Sequence, residues 1–273
     1  MSGAGGPVSG STSGRVALVT GAARGIGASV ARGAARQGWR LVLVDACADD
    51  PGIGYPLASR PDLDAVVEAC GPEAVGVVAD VRDSDGLDEA VRVAKDRFGG
   101  LDAAVAVAGV IGGGPPAWET PEALWSTMLE VNLGGVWRLA RAALPLMLER
   151  PMPRGGRFVA IASAGAVVGL PRLSAYVAAK HGVIGLVRSL AAELGATGIT
   201  ANVVAPGSTM TDALTASAAV YELAGTQEFA AHHLDPRLLH PDEIAEAVLW
   251  LCSPASSGVT GAVLPVDAGM TAR

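Results

Sequence analysis

Short, unbroken apolar runs alternate along this chain with longer stretches whose apolar residues recur every three or four positions. The runs fall at residues 16–19, 41–44, 75–78, 103–107, 158–161, 200–204 and Val263–Val266. A run with no polar face predicts a strand buried on both sides, and helical periodicity between such runs predicts the covering layers. The Ala-rich stretch at 28–37 is the clearest of the intervening helices. The pattern predicts an α/β fold: one Rossmann-type, doubly wound parallel sheet with helices on both faces.

The alternation continues without a linker, so residues 14–273 read as one domain after a Gly/Ser-rich, flexible tail at 1–13. Two segments interrupt the rhythm. Residues 46–64, rich in Asp, Pro and Gly, read as an inserted loop that runs into a helix from about Asp62. Residues 211–235, Ala-rich with aromatics, read as a helical lid over a substrate.

Composition narrows the function classes. Half of the 273 residues are hydrophobic, 17% are charged, and glycine is abundant at 36 copies, which suits a packed globular domain. A net charge of −7 with no basic run argues against a nucleic-acid partner. The long uncharged stretch at 194–211 is broken by Gly198, Asn202, Pro206 and Gly207, so no membrane span is expected. Cys47, Cys70 and Cys252 are widely spaced and odd in number, which fits a reducing cytoplasm. His181, His232, His233 and His240 lack metal-ligand spacing, so no metal is expected. The pair His232–His233 in the lid either touches substrate or is solvated surface. Trp118, Trp125 and Trp137 are expected to pack.

The first chemistry-bearing segment is Thr20-Gly21-Ala22-Ala23-Arg24-Gly25-Ile26-Gly27, where a buried strand turns into a helix. Glycines there let backbone N–H groups approach a pyrophosphate, and the helix N-terminus favours its charge. Asp45 closes the next apolar run, where a carboxylate accepts from ribose hydroxyls and repels a 2′-phosphate. That favours NAD over NADP, although Arg24 is a cation within reach of a phosphate.

The second is Tyr176 and Lys180, at i and i+4 on one helical face, with Ser163 thirteen residues upstream, just past an apolar run. An ammonium beside a phenol is expected to lower the phenol's pKa. Such a phenol can exchange a proton with an alcohol or carbonyl oxygen, and Ser163 can hold the same oxygen.

Together these segments resemble the short-chain dehydrogenase/reductase family from about Gly14 to the C-terminus. Gly21, Gly25 and Gly27 match its TGxxxGxG turn, with Arg24 and Ile26 inside it. Asp80-Val81 matches an adenine-contacting pair, and Asn132 in Val-Asn-Leu-Gly-Gly matches the Asn that supports a proton-relay water. Ser163, Tyr176 and Lys180 match the catalytic trio, Tyr176 and Lys180 also being expected against the cofactor. Pro206-Gly207, Thr209 and Thr211 match the segment beside the nicotinamide. One departure stands out: the usual Asn-Asn-Ala-Gly is Ala106-Val107-Ala108-Gly109 here, which removes two amides. Ala108 and Gly109 still suit close approach of a nucleotide.

The insert, with its Tyr55-Pro56-Leu57-Ala58, resembles the mycofactocin-associated branch of the family. That resemblance implies an NAD held without free exchange and electrons passed to mycofactocin. The expectation is therefore NAD-dependent oxidation of an alcohol by a cytoplasmic homotetramer. Leu214, Val220, Tyr221, Leu223 and Phe229 in the lid suggest a small hydrophobic alcohol or carbonyl as substrate. The rivals are a carbonyl reductase with exchangeable NAD(P)H and a non-catalytic nucleotide-binding scaffold.

Overall fold

The first apolar run becomes β1 (Val16–Thr20), all five residues of which are buried. Its side chains alternate between two cores: Val16 and Leu18 join one hydrophobic cluster, Ala17 and Val19 the other. A strand sandwiched in this way has no polar side, which is why the run is continuous. The same holds for β2 (Arg40–Asp45), β4 (Ala103–Ala106), β5 (Arg157–Ile161) and β6 (Thr200–Pro206). With β3 (Ala74–Val78) and β7 (Val263–Val266) at the edges, they form one seven-stranded sheet in the order β3-β2-β1-β4-β5-β6-β7. Every ladder is parallel. This computed structural model describes residue 12 and residues 14–272, so the tail expected at 1–13 lies, apart from Thr12, outside the described residues.

Helices cover both faces. On one side lie α1 (Gly25–Arg36), α2 (Arg60–Cys70) and α8 (Pro241–Cys252). On the other lie α3 (Ser84–Phe98), α4 (Glu122–Leu129), α5 (Gly135–Leu148) and α6 (Ser174–Glu193). The chain reverses its direction of winding between β1 and β4, and there the loops after the strands part into a crevice.

Three boundaries differ from expectation. Helix α1 starts at Gly25 rather than at 28, so the glycine-rich turn forms its first turn. Helix α2 starts at Arg60, because Ser59 caps it and Pro61 suits its first turn. The Ser59 amide and hydroxyl both donate to Asp62, at 2.8 and 2.6 Å. The segment expected to be a lid is helical only in part, as α7 (Asp212–Val220) followed by a 3₁₀ segment, Thr226–His232. The three tryptophans expected to pack do not: Trp118, Trp125 and Trp137 are 84%, 41% and 50% exposed on outward faces.

Candidate active site

The crevice beside the glycine-rich turn is a cleft of about 580 Å³ lined by Gly21, Arg24, Gly25, Ile26 and Gly27. Gly21 sits at φ +65°, and a Cβ at Gly27 would lie 1.9 Å from the Gly21 carbonyl oxygen. No larger residue fits that turn. Thr20 Oγ1 accepts from the amides of Val107 and Ala108 at 3.2 and 3.3 Å, pinning the loop after β4 against it. The cleft continues past Ala108 and Gly109 in one direction, and past Asp45, Asp80 and Val81 in the other. An elongated cradle of amides and glycines at a helix N-terminus, with a carboxylate at the end of the second strand, fits a dinucleotide.

Asp45 accepts from the amides of Ala23 (3.1 Å) and Cys47 (3.3 Å), which fixes its carboxylate at the rim of the cleft. Arg24 is turned to other partners: it donates to the Pro56 carbonyl at 2.7 Å and pairs with Asp212 at 2.9 Å. Asp80 is gripped by Arg82, whose other arm meets Asp50 in the insert at 2.7 Å. Burial pushes the Asp80 carboxyl up, but the Arg82 hydrogen bonds outweigh it and hold the carboxyl below its usual range. Val81 packs beneath, against Gly135 of α5.

The insert folds over this cleft rather than away from it. Ala46, Ala48, Asp49, Asp50, Tyr55, Leu57 and Ala58 all line it. Its three ties are spread along the cleft: Asp50–Arg82, Pro56–Arg24, and the Tyr55 hydroxyl, which accepts from the Ile111 amide at 3.1 Å. Tyr55 and Arg82 were not among the expected site residues. Nothing local in the sequence says which way a loop folds back.

Beyond Gly109 the cleft opens into a second cavity of about 520 Å³ that contains Ser163, Tyr176, Lys180 and Asn132. Ser163 ends the β5 turn and caps a 3₁₀ turn, its hydroxyl accepting from Gly165 at 3.1 Å. Tyr176 and Lys180 come from successive turns of α6, with the Lys180 Nζ 5.8 Å from the phenol ring centre and donating to the Ile161 carbonyl at 3.0 Å. Asn132 is fully buried in a π-helical turn, Glu130–Gly134, between α4 and α5. Its Oδ1 accepts from the Val110 amide at 3.1 Å, and its Nδ2 donates to the carbonyls of Val110 and Met128, both at 3.0 Å. Its amide is thus committed to the backbone. Gly109 lies between this group and Lys180, where a Cβ would sit 2.8 Å from Asn132 Oδ1 and 3.3 Å from Lys180 Nζ.

The electrostatics correct one expectation. The Tyr176 pKa is not lowered; burial raises it, opposed by a hydrogen bond with Ser163, and the phenol of Tyr55 adds to the rise. Burial also pulls Lys180 down to about 8. Surrounded by protein atoms, each charged form pays for desolvation, and Lys180 directs its Nζ at a carbonyl rather than at the phenol.

The far wall of the second cavity comes from the lid segment: Leu214, Tyr221, Leu223 and Phe229 line it, while Val220 does not. Pro206 ends β6, and Gly207 passes so close to Asp267 that a Cβ would lie 2.8 Å from its Cα. Thr209 donates to the Gly207 carbonyl, and Thr211 caps α7 with its methyl group against Gly25. His232 lines the cavity, whereas His233 is buried, accepting from the Ser208 amide at 3.1 Å and bonding the Arg237 carbonyl at 2.6 Å. Among the described residues there is no group of His, Cys, Asp and Glu that could hold a metal, and no helix is long and apolar enough to cross a membrane.

Comparison with known proteins accords with this geometry. Residues 21–271 match the family described as Enoyl-(Acyl carrier protein) reductase. The chain is 38% identical over 269 residues to an uncharacterized NAD-dependent oxidoreductase of Mycobacterium tuberculosis, covering 95% of this chain and 97% of that protein. It is 36% identical over 277 residues to the (-)-trans-carveol dehydrogenase of Rhodococcus erythropolis, covering 95% and 98%. The crystal structure of carveol dehydrogenase from Mycobacterium avium in complex with NAD superposes with a TM-score of 0.91 at 34% identity, covering 97% of this chain and all of that one. The chain belongs to the short-chain dehydrogenase/reductase family.

Proposed function

We propose that this family member is an NAD-dependent alcohol dehydrogenase acting on small, neutral, hydrophobic alcohols. The observation that carries the reading is the meeting of the two cavities at Gly109, Ile161 and Thr211. A nucleotide cleft thereby opens directly onto a Ser-Tyr-Lys pocket. NAD is favoured over NADP because Asp45 holds the discriminating position and Arg24 is engaged elsewhere. The relatives named for NAD support the same choice.

The alcohol oxygen is received between the Ser163 and Tyr176 hydroxyls. Tyr176, as the phenolate, takes the hydroxyl proton. Burial disfavours that phenolate in the free protein, and the positive charge of bound NAD beside Lys180, itself still largely protonated at neutral pH, would offset the burial. NAD held in the cleft would supply the two-electron acceptor for the carbinol hydride, so that the alcohol becomes a carbonyl. Asn132 is a positioning residue whose side chain fixes the Val110 segment beside Lys180, where a proton-relay water would be held. The cofactor contacts are assigned to Gly21, Gly25, Ile26, Gly27, Asp45, Asp80, Val81, Ala108, Gly109, Pro206, Gly207, Thr209 and Thr211. A mostly apolar lining in which Lys180 is, among the described residues, the one lysine or arginine supports a neutral substrate over an acyl-phosphate or carboxylate one.

The three-point attachment of the insert supports a cofactor that stays in place between turnovers, with electrons leaving to an external carrier such as mycofactocin. Exposed Trp125 and Trp137 on α4 and α5 give apolar surface for assembly as a homotetramer, and three free thiols suit the reducing cytoplasm.

The test is to purify the protein without added cofactor, denature part of it and identify the released nucleotide, then mix the remainder with carveol and follow NADH fluorescence. Near-stoichiometric NAD(H) with one turnover in the parent and none in Tyr176→Phe is the expected result. Empty protein that turns over with added NAD would leave the dehydrogenase but remove the held cofactor. Released NADP would refute the reading of Asp45.

A further inference from the structure

Two non-glycine residues with left-handed backbone conformations face each other across the outer end of the second cavity. Arg172 has φ +62° and Glu222 φ +58°. That region is unfavourable for residues with a Cβ and persists where surrounding contacts impose it. The contacts here join the two sides of the cavity: Arg172 donates to the Val220 carbonyl at 3.1 Å and to the Glu222 carboxylate at 3.2 Å, and the Tyr221 hydroxyl donates to the Pro171 carbonyl at 2.8 Å. Leu170, Pro171 and Leu173 line one side and Tyr221 and Leu223 the other, so the bonds close a gap between pocket walls.

The two sides differ in how firmly they are held. The Arg172 carbonyl accepts from the Gly114 amide at 3.0 Å, and Gly113 packs so closely that a Cβ there would lie 2.2 Å from that oxygen. The inner side is therefore fixed. On the lid side, Tyr221 stands edge-on to Phe229 at 6.0 Å, within a small apolar cluster separate from the two main cores. Arg172 and Glu222 are exposed, so their ion pair is weak and reversible.

We propose that Arg172 and Tyr221 are specificity-determining residues that clasp the lid to the 170–173 segment and set an upper size limit on the alcohol. This rests on the alcohol-dehydrogenase reading above. With the clasp closed, Tyr221 and Leu223 form a fixed end wall. Releasing it lets the end of α7 swing outward and lengthens the pocket without touching Ser163, Tyr176 or Lys180.

Two variants separate the clasp from general damage. Tyr221→Phe removes one hydroxyl and keeps the ring against Phe229. Arg172→Gly removes the two cross-lid bonds of Arg172, leaves that of Tyr221, and relieves an unfavourable φ, so the fold is not at risk. NAD-loaded parent and variants are mixed with cyclohexanol, carveol or testosterone, the single-turnover appearance of bound NADH is followed, and backbone hydrogen exchange over 170–173 and 220–223 is recorded. The expected result is a rise of about tenfold or more in the rate ratio of testosterone to cyclohexanol in both variants, with faster exchange in both segments. A ratio within roughly twofold of the parent, with carveol still oxidised, overturns the clasp, as does a parent that oxidises testosterone as readily as cyclohexanol. A parent that oxidises none of the three overturns the functional reading, and the clasp with it.

Discussion

Replacing Asn132 by Ala should harm both stability and chemistry, by an amount that follows from its hydrogen bonds. The side chain makes three bonds to backbone, two of them to the amide and carbonyl of Val110. At about 1 kcal/mol net for each bond, their loss costs about 3 kcal/mol. The Val110 amide is then left buried with no partner, a further penalty of about 1–2 kcal/mol. The total, about 4–5 kcal/mol, corresponds to a fall in Tm of roughly 7–9 °C for a domain of this size. The functional loss comes by another route. Val110 adjoins Gly109, which is wedged between Asn132 and Lys180 where the two cavities meet. Freed from Asn132, that wall shifts, and single-turnover oxidation should fall at least 100-fold, about 2.7 kcal/mol of transition-state stabilisation. Asn132→Asp sharpens the test, because it keeps an acceptor for the Val110 amide but aims a carboxylate at two carbonyls. It should be no more stable than the alanine variant. Calorimetry at matched nucleotide content measures the first effect, and hydrogen exchange at Val110 locates it. If Asn132→Ala melted within about 2 °C of the parent and kept half its rate, the Val110 segment would be held by something else and the positioning argument would fail.

Gly27→Ala should empty the nucleotide cleft, because the new Cβ lands 1.9 Å from the Gly21 oxygen and the turn has to open. Nucleotide released from the purified variant should fall below a tenth of the parent's, and a variant with full occupancy would refute the cradle. Lys180 gives the protein a specific pH dependence. Its folded pKa of about 8 lies below the 10.5 of an unperturbed lysine, so between these values the unfolded chain binds the extra proton. Stability therefore rises with pH across that window, by on the order of 1.4 kcal/mol per unit from this one group. Urea unfolding at pH 8 and 9.5 should show a larger gain for the parent than for Lys180→Met, and parallel behaviour would rule the buried ammonium out.

How much of this could be read in advance depended on the range of the interaction involved. Continuous apolar runs are a local consequence of burial on both faces of a sheet, so all seven strands were legible within a residue or two. The glycine-rich turn and the i, i+4 spacing of Tyr176 and Lys180 are likewise local, since each is fixed by a helix or a single turn. The alternation of helix and strand was enough for the layering, because no other arrangement buries such runs twice.

What the tertiary structure decided was everything that joins distant segments. The strand order brings residues 21–27 against 107–111, and β5 beside α6 brings Ser163 to Tyr176. The π-turn that aims Asn132 has no periodic signature. The insert's direction was settled by Arg24, Arg82 and Ile111, each far from it in sequence, and the exposure of Trp118, Trp125 and Trp137 by which helix faces were left uncovered. The sign of the Tyr176 shift turned on burial outweighing its hydrogen bond with Ser163. Sequence encodes the i, i+4 neighbour of a residue directly, but desolvation is a property of every atom around a side chain, and it exists only once the chain has folded.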